Sequence, residues 1–269
     1  MSDGLYLYCI RNKTENAPVI SIKGIDAGEV FIISYKELEA VVSKVLLEDF
    51  ESASVKEKAS GDLSWIKDRA CIHELVIEQA MSNSNKIISL VPMRFGVIFK
   101  SKSSLEETIE NDYCKIKEVL DRIKNKKEWS VKVYMKDKEK FCQILKMENE
   151  AIKEKEKEIA SLPEGLAFFM EEELKEITSN IADKESNNIL EDVFERIGKL
   201  AEDSNKNKIL EKVLTGRNDP MVFNSSFLIS DKKIDYFKKE CDAINQDIHI
   251  SGFSLEYSGP WPVYNFTLY

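Results

Sequence analysis

The sequence predicts an α+β fold in two domains, and three observations carry that prediction. Strand-like and helix-like stretches are segregated through the first half of the chain. The composition then shifts, between residues 138 and 216, to a charged helical segment. Beyond Gly216 short strand patterns return. These shifts set an N-terminal α+β domain at 1–137 and a C-terminal domain at 138–269. The second divides into a helical segment, 138–216, and a small α+β unit with an aromatic and proline-rich tail, 217–269.

In the first domain, Leu5–Ile10 alternates Leu5, Leu7 and Cys9 with Tyr6, Tyr8 and Ile10, as a strand covered on both faces does. Pro18, Gly24 and Gly28 mark a loop, and Val30–Ser34 is a second strand. Lys36–Glu39 reads as a turn, and Ala40–Val45, with β-branched Val41 and Val42, as a third strand. Glu48–Gly61 is polar and loop-like, and Asp62 is a candidate N-cap for the next helix. Ile66, Ala70, His73, Ile77 and Ala80 share one face of that helix.

The near-continuous apolar run Leu90–Phe99 follows, interrupted by Pro92 and Arg94. Proline removes a ladder donor, so the strand proper is expected at Arg94–Phe99. A guanidinium among apolar strand residues must find a partner. Arg94 is therefore expected to form a structural ion pair, or to contact an anion or a partner protein. Ser103-Ser104-Leu105-Glu106 reads as a capping box. Leu105, Ile109, Ile116, Leu120 and Ile123 give one helix its buried stripe, and Trp129–Met135 alternates as a strand. This order on a mainly antiparallel sheet matches ferredoxin-like wiring.

Residues 138–216 hold 19 acidic against 13 basic residues, so most of the net charge of −9 sits there. Helices are expected through Phe141–Ile159, Met170–Ile181 and Leu190–Ala201, with a short piece at Ile209–Leu214. The run Glu150–Glu158 reads as a solvated helix face with internal ion pairs. Next come a strand at Met221–Ser230, an amphipathic helix at Lys232–Gln246 and a strand at Ile248–Tyr257. Trp261, Tyr264 and Phe266 need burial, so the tail is expected to be tucked in.

Composition excludes several function classes. A net charge of −9 opposes non-specific binding to nucleic acid or anionic membranes. No 18-residue apolar run is present, so no membrane span is expected, and the first residues carry no signal-peptide pattern. Five scattered cysteines without a CxxC pair read as free thiols in a reducing cytoplasm. His73 reads as a satisfied core histidine, and His249 opens a strand without ligand-spaced neighbours. No GxSxG, HExxH, Walker loop or GxGxxG occurs. Hence no catalytic residue, cofactor or metal is expected. An RNA-binding strand at Arg94–Phe99 is opposed by its residue order and by the acidic charge.

Several segments, in order, resemble one family. They are Leu5–Tyr8, Leu38–Ser43, Ala70-Cys71-Ile72-His73-Glu74, Val91-Pro92-Met93-Arg94-Phe95-Gly96, Glu128–Val133, Phe223–Leu228 and Ser258-Gly259-Pro260-Trp261-Pro262-Val263-Tyr264-Asn265-Phe266. Together they resemble the gas vesicle protein F/L (GvpF/GvpL) family. Val263 departs from the family pattern, which usually has a further proline there, and the middle segment matches poorly apart from Gly165 and its neighbours.

The resemblance implies a ferredoxin-like N-terminal domain and a modified ferredoxin-like α+β C-terminal domain carrying long helices. It also implies a non-enzymatic, cytoplasmic accessory protein that binds the hydrophobic gas vesicle shell protein and supports vesicle assembly. Other accessory proteins are further partners, and a place in the vesicle as a minor structural component fits the same picture. The partner interface is expected near Arg94 and Phe95, or on a face shared with the tail. Two alternatives stand beside this one: a hydrolase on a ferredoxin-like scaffold with Arg94 as anion holder, and a helical adaptor working through 138–216.

Overall fold

The computed structural model describes residues 3–14, 20–50, 63–83 and 86–267. Of the expected loop at Glu48–Gly61, the first three residues lie in a 3-10 turn at Leu47–Phe50, and the rest, with the Asp62 N-cap, lies outside these residues. Among the described residues the fold is α+β, built on two antiparallel sheets and a two-stranded ribbon. The chain divides into two compact units, Met1–Glu128 with Pro260–Tyr269, and Trp129–Gly259. That division counts the last ten residues with the first unit rather than the second.

In the first unit, β1 (Asp3–Asn12) occupies the middle of its sheet. β2 (Val30–Tyr35) and β3 (Leu38–Leu46) form a hairpin across Lys36 and Glu37, and β3 pairs with β1. The helix α1 (Leu63–Met81) leads into the ribbon of β4 (Ser82–Asn83) and β5 (Lys86–Ile87). β6 (Leu90–Pro92) and β7 (Ile98–Phe99) then pair with the other side of β1.

The strand expected at Arg94–Phe99 is therefore corrected. Arg94 to Val97 is irregular, turning at Phe95 and Gly96, where Gly96 takes a φ of 89° that favours glycine. β1 holds both ends of the excursion: Met93 N–H donates to the Tyr8 carbonyl (2.8 Å), and Leu7 N–H donates to that of Val97 (2.9 Å).

The stripe from Leu105 to Ile123 belongs to two helices, α2 (Lys102–Asn111) and α3 (Tyr113–Arg122), with the chain leaving helical geometry at Asp112. The capping box also shifts. Ser101 is the N-cap and Ser104 its reciprocal partner, since a hydroxyl at N3 reaches back as a glutamate would.

The second sheet runs in the order β11-β8-β10-β9. Its strands are β8 (Lys126–Met135), β9 (Asp203–Lys206), β10 (Met221–Ser230) and β11 (Phe253–Trp261). β8, which closes the ferredoxin-like order in sequence, thus sits between β11 and β10. The helices are α4 (Lys138–Glu148), α5 (Glu150–Ala160), α6 (Glu164–Gly198), α7 (Lys212–Thr215) and α8 (Ile234–His249).

The first expected helix splits at Asn149, whose side chain caps α5 by accepting from Ile152 N–H. The next two merge into one 35-residue helix, α6, about 50 Å long. No proline or glycine interrupts it between Gly165 and Gly198. Leu174, Thr178 and Ala182, then Val193 and Ile197, are its buried positions. Phe227, Phe237 and Phe253 are fully buried in the core of the second unit, each worth roughly 1.5–3 kcal/mol of apolar transfer. His249 does not open a strand. It ends α8, beside the carbonyl pole of the helix, and the strand begins at Phe253 after Gly252 turns with a φ of 84°.

Candidate partner-binding site around His73

The pairing of β1 with β3 shifts register between Leu7 and Cys9, which marks a bulge at Tyr8. A bulge re-aims side chains, and Tyr6, Tyr8 and Cys9 all pack in one cluster with Val76, Ile77 and Ala80 of α1. The spacing of His73 from Ile77 and Ala80 brings its ring into the same cluster. The ring is buried, lying nearly parallel to Tyr8 (centroids 5.7 Å apart) and edge-on to Tyr6 (5.6 Å).

The hydrogen bonds of this group form a directed chain. Gly96 N–H donates to the Tyr6 hydroxyl (2.9 Å), which lies 3.0 Å from His73 Nδ1. His73 Nε2 lies 3.1 Å from the Met93 carbonyl. A carbonyl only accepts, so Nε2 carries the proton and Nδ1 accepts from Tyr6. The Tyr8 hydroxyl meets Ser43 Oγ (2.8 Å) and accepts from Ile25 N–H (2.9 Å). Gly24 is required beside it, because a Cβ there would collide with the Tyr8 hydroxyl.

Burial holds the imidazole neutral. Desolvation pushes the His73 pKa down to about 4, opposed by the hydrogen bond that the ring donates to the Met93 carbonyl. Desolvation likewise raises the Tyr6 and Tyr264 phenols, and Glu74 beside Tyr264 adds to the rise there. His73, Tyr6 and Tyr264 are thus uncharged and hydrogen-bonded at pH 7, unlike an acid–base couple poised to exchange protons at that pH.

The tail closes the network. The Tyr264 hydroxyl donates to Glu74 Oε2 (2.8 Å) and stands 3.4 Å from His73 Nε2. Asn265 donates from both its backbone N–H (3.0 Å) and its Nδ2 (2.5 Å) to the Glu128 carboxylate. Arg122 donates to the Phe266 carbonyl (2.5 Å). Val263, Phe266 and Thr267 are buried, while Trp261 keeps 39% of its surface exposed. Tyr264→Phe removes a hydroxyl from this half-buried junction and is expected to cost about 1–2 kcal/mol in urea unfolding.

Phe95 stands at the rim, 36% exposed. Its ring is edge-on to His73 (5.9 Å) and to Tyr6 (6.2 Å), so one side is packed and the other faces solvent. Arg94 beside it is exposed, with no ion pair to a described residue. The expectation of a paired, strand-borne Arg94 is corrected for this reason: the turn carries the guanidinium out to water. An anion holder needs a positioned cation, and nothing among the described residues positions Arg94.

The buried arginine is instead Arg11, which sequence reasoning missed. It is fully buried at the end of β1, donating from Nε to Glu39 Oε2 (3.0 Å) and from a terminal nitrogen to the Ala80 carbonyl (2.9 Å). Arg11 and Glu39 face each other in the β1–β3 register. An arginine closing an otherwise apolar strand was the available signal. Among the described residues, no group of three His, Cys, Asp or Glu side chains is placed to hold a metal ion. Burial pushes the Cys9 thiol up to about 12, far from a reactive thiolate.

Leu5–Tyr8, Leu38–Ser43, Ala70–Glu74, Val91–Gly96, Glu128 and the tail, scattered over the sequence, thus meet through named contacts of the first unit. The family model for the gas vesicle synthesis protein GvpL/GvpF matches residues 4–267. Gas vesicle protein F1 of Halobacterium salinarum is 23% identical, over 99% of this chain and 93% of its own length. Gas vesicle protein L of a Streptomyces species is 21% identical, over 97% of this chain and 91% of its own. Among solved structures, the gas vesicle protein GvpF of an Anabaena species superposes with a TM-score of 0.69 at 18% identity, covering 100% of this chain and 97% of that one. GvpF of Microcystis aeruginosa gives 0.65 at 20% identity and 99% of both chains. At such identities the structural likeness establishes the fold, and the match of the family model over nearly the whole length establishes that this chain belongs to the GvpL/GvpF family of gas vesicle synthesis proteins.

Proposed function

We propose that this chain is a non-enzymatic assembly factor that binds the hydrophobic gas vesicle shell protein, with the Arg94–Phe95 turn as its contact surface. The family supports a role in gas vesicle formation. The observation that carries the finer reading is the one exposed element of the His73 network: an aromatic ring and a guanidinium at the tip of a turn anchored beneath by Tyr6, His73 and Met93. Aromatic residues, Phe among them, and arginine are enriched at protein–protein interfaces. A shell subunit that repels water aggregates when unescorted, and a soluble acidic partner would cover it until assembly. The place of action is then the cytoplasm and the growing vesicle, with other accessory proteins as further partners.

The helical adaptor has one observation in its favour. Leu166, Phe168 and Phe169 near the start of α6 are exposed, the two phenylalanines by 62% and 71%. Co-purification of the full chain with co-expressed shell protein separates the two readings. Phe95→Asp and Arg94→Glu are expected to cut the recovered shell protein at least roughly tenfold, as loss of hot-spot contacts does. Phe168→Ser with Phe169→Ser is expected to leave it unchanged, and the reverse pattern would move the function to the helices.

A further inference from the structure

We propose that the outer edge of β2 is a docking site for an extended, acidic strand of a partner protein, which would join the first sheet as an additional strand. The proposal does not depend on what occupies the Arg94–Phe95 turn. β2 ends the order β2-β3-β1-β6, so among the described residues it carries no neighbour beyond β3. Its hairpin closes on Tyr35 and Leu38 across two residues. In such a hairpin the closing pair exchanges both hydrogen bonds and the pattern alternates. Tyr35, Ile33 and Phe31 are thereby used by β3, while Ser34, Ile32 and Val30 turn their N–H and C=O groups outward.

The sequence of this edge, Val-Phe-Ile-Ile-Ser-Tyr, contains no charge and no proline. Soluble proteins guard exposed edges with such residues. An unguarded apolar edge, with Ile32 itself 41% exposed, is the arrangement that strand addition uses. A row of outward amides and carbonyls is satisfied by one kind of occupant, an extended backbone.

The charge inward of the edge selects the occupant further. From residues 31–34 a groove of about 590 Å³ runs past Lys44 of β3 and Gly4 and Leu5 of β1 to Lys100 and Lys102, and among the described residues Asp3 is the carboxylate in its lining. Lys44 and Lys100 have no ion-pair partner among the described residues, while Lys102 reaches Glu106 at 3.4 Å. Lys102 also opens α2, where the helix dipole adds positive potential. The groove is thus a basic patch on a chain of net charge −9. A second copy of β2 would bring lysines against lysines, which disfavours self-pairing. A strand alternating apolar and acidic residues meets both the groove and the amides.

The test uses the full chain and two dye-labelled peptides, an alternating Val-Glu decamer and its Val-Lys counterpart, followed by fluorescence anisotropy. The acidic peptide is expected to bind and the basic one is not. Ile32→Pro removes an outward N–H without touching the β3 ladder, and should weaken binding roughly tenfold or more. Should that variant misfold, the acidic peptide N-methylated at alternate residues keeps its charge but cannot form a ladder, and should lose binding to the unaltered chain. Lys44→Glu with Lys100→Glu should exchange the preference. Equal binding of the two peptides, or insensitivity to N-methylation, would overturn the proposal. So would a dimer in sedimentation that Ile32→Pro dissolves, because the edge would then belong to a second copy.

Discussion

Arg11→Met is expected to lower the free energy of unfolding by about 3–5 kcal/mol, the scale for stripping one partner from a buried ion pair. The Glu39 carboxylate would remain almost wholly buried without its guanidinium. The Ala80 carbonyl near the end of α1 would also lose its donor, a smaller cost of about 1 kcal/mol. Arg11→Met with Glu39→Leu removes both charges and fills similar volume, so most of the loss should return. Denaturant unfolding of the wild type, the two single variants and the double variant closes the cycle. A coupling energy near zero would show that the pair adds nothing beyond its separate parts.

The second large effect is a loss of stability on acidification, caused by His73. Its folded pKa of about 4 lies below the unfolded value near 6.5. The unfolded chain therefore takes up a proton that the folded chain refuses. The contribution is fully present above pH 6.5 and is lost as the pH falls toward 4, at up to about 1.4 kcal/mol per pH unit, roughly 3 kcal/mol in all. Glu74 works in the opposite sense: burial raises its pKa, so its folded form is favoured at low pH and loses that advantage as the pH rises. Comparing wild type with His73→Gln isolates the histidine, since Glu74 is common to both. Unfolding free energies measured from pH 7 to pH 4 should converge as the wild type falls faster. Parallel curves would mean that His73 is protonated in the folded protein as easily as in the unfolded one.

Much of the scaffold was legible in the sequence because it is written in local patterns. The alternation of Leu5–Ile10, the helical spacing of Ile66 to Ala80 and the strand pattern of Met221–Ser230 all became the expected elements. Of the tail aromatics expected to be buried, Phe266 is buried, Tyr264 is half-buried and Trp261 keeps 39% of its surface exposed. What failed was set by tertiary structure. A proline and a glycine four residues apart look in sequence like one interrupted strand, whereas β1 grips the two flanks and lets the middle swing outward. The same error inverted the arginines, placing Arg94 inside and overlooking Arg11. The sequence pattern of α6 suggests two helices because its apolar stripe thins between Ile181 and Ile189, yet no residue there breaks a helix.

The network itself was half legible. Helical spacing puts His73 on an apolar face as a satisfied histidine, but Tyr6, Tyr264 and the Met93 carbonyl lie 67, 191 and 20 residues from it in the chain. Spacing cannot name partners at such separations. A bulge at Tyr8, the device that aims Tyr8 and Cys9 into one cluster, leaves no mark in the alternation.

If the His73 network presents the Arg94–Phe95 turn to the shell protein, hydrogen–deuterium exchange of the full chain, with and without co-expressed shell protein, tests it most directly. Slowed exchange in the segment Met93–Val97, with the start of α6 unchanged, is the result expected. Protection confined to Leu166–Phe169, with Met93–Val97 exchanging as in the free chain, would contradict it.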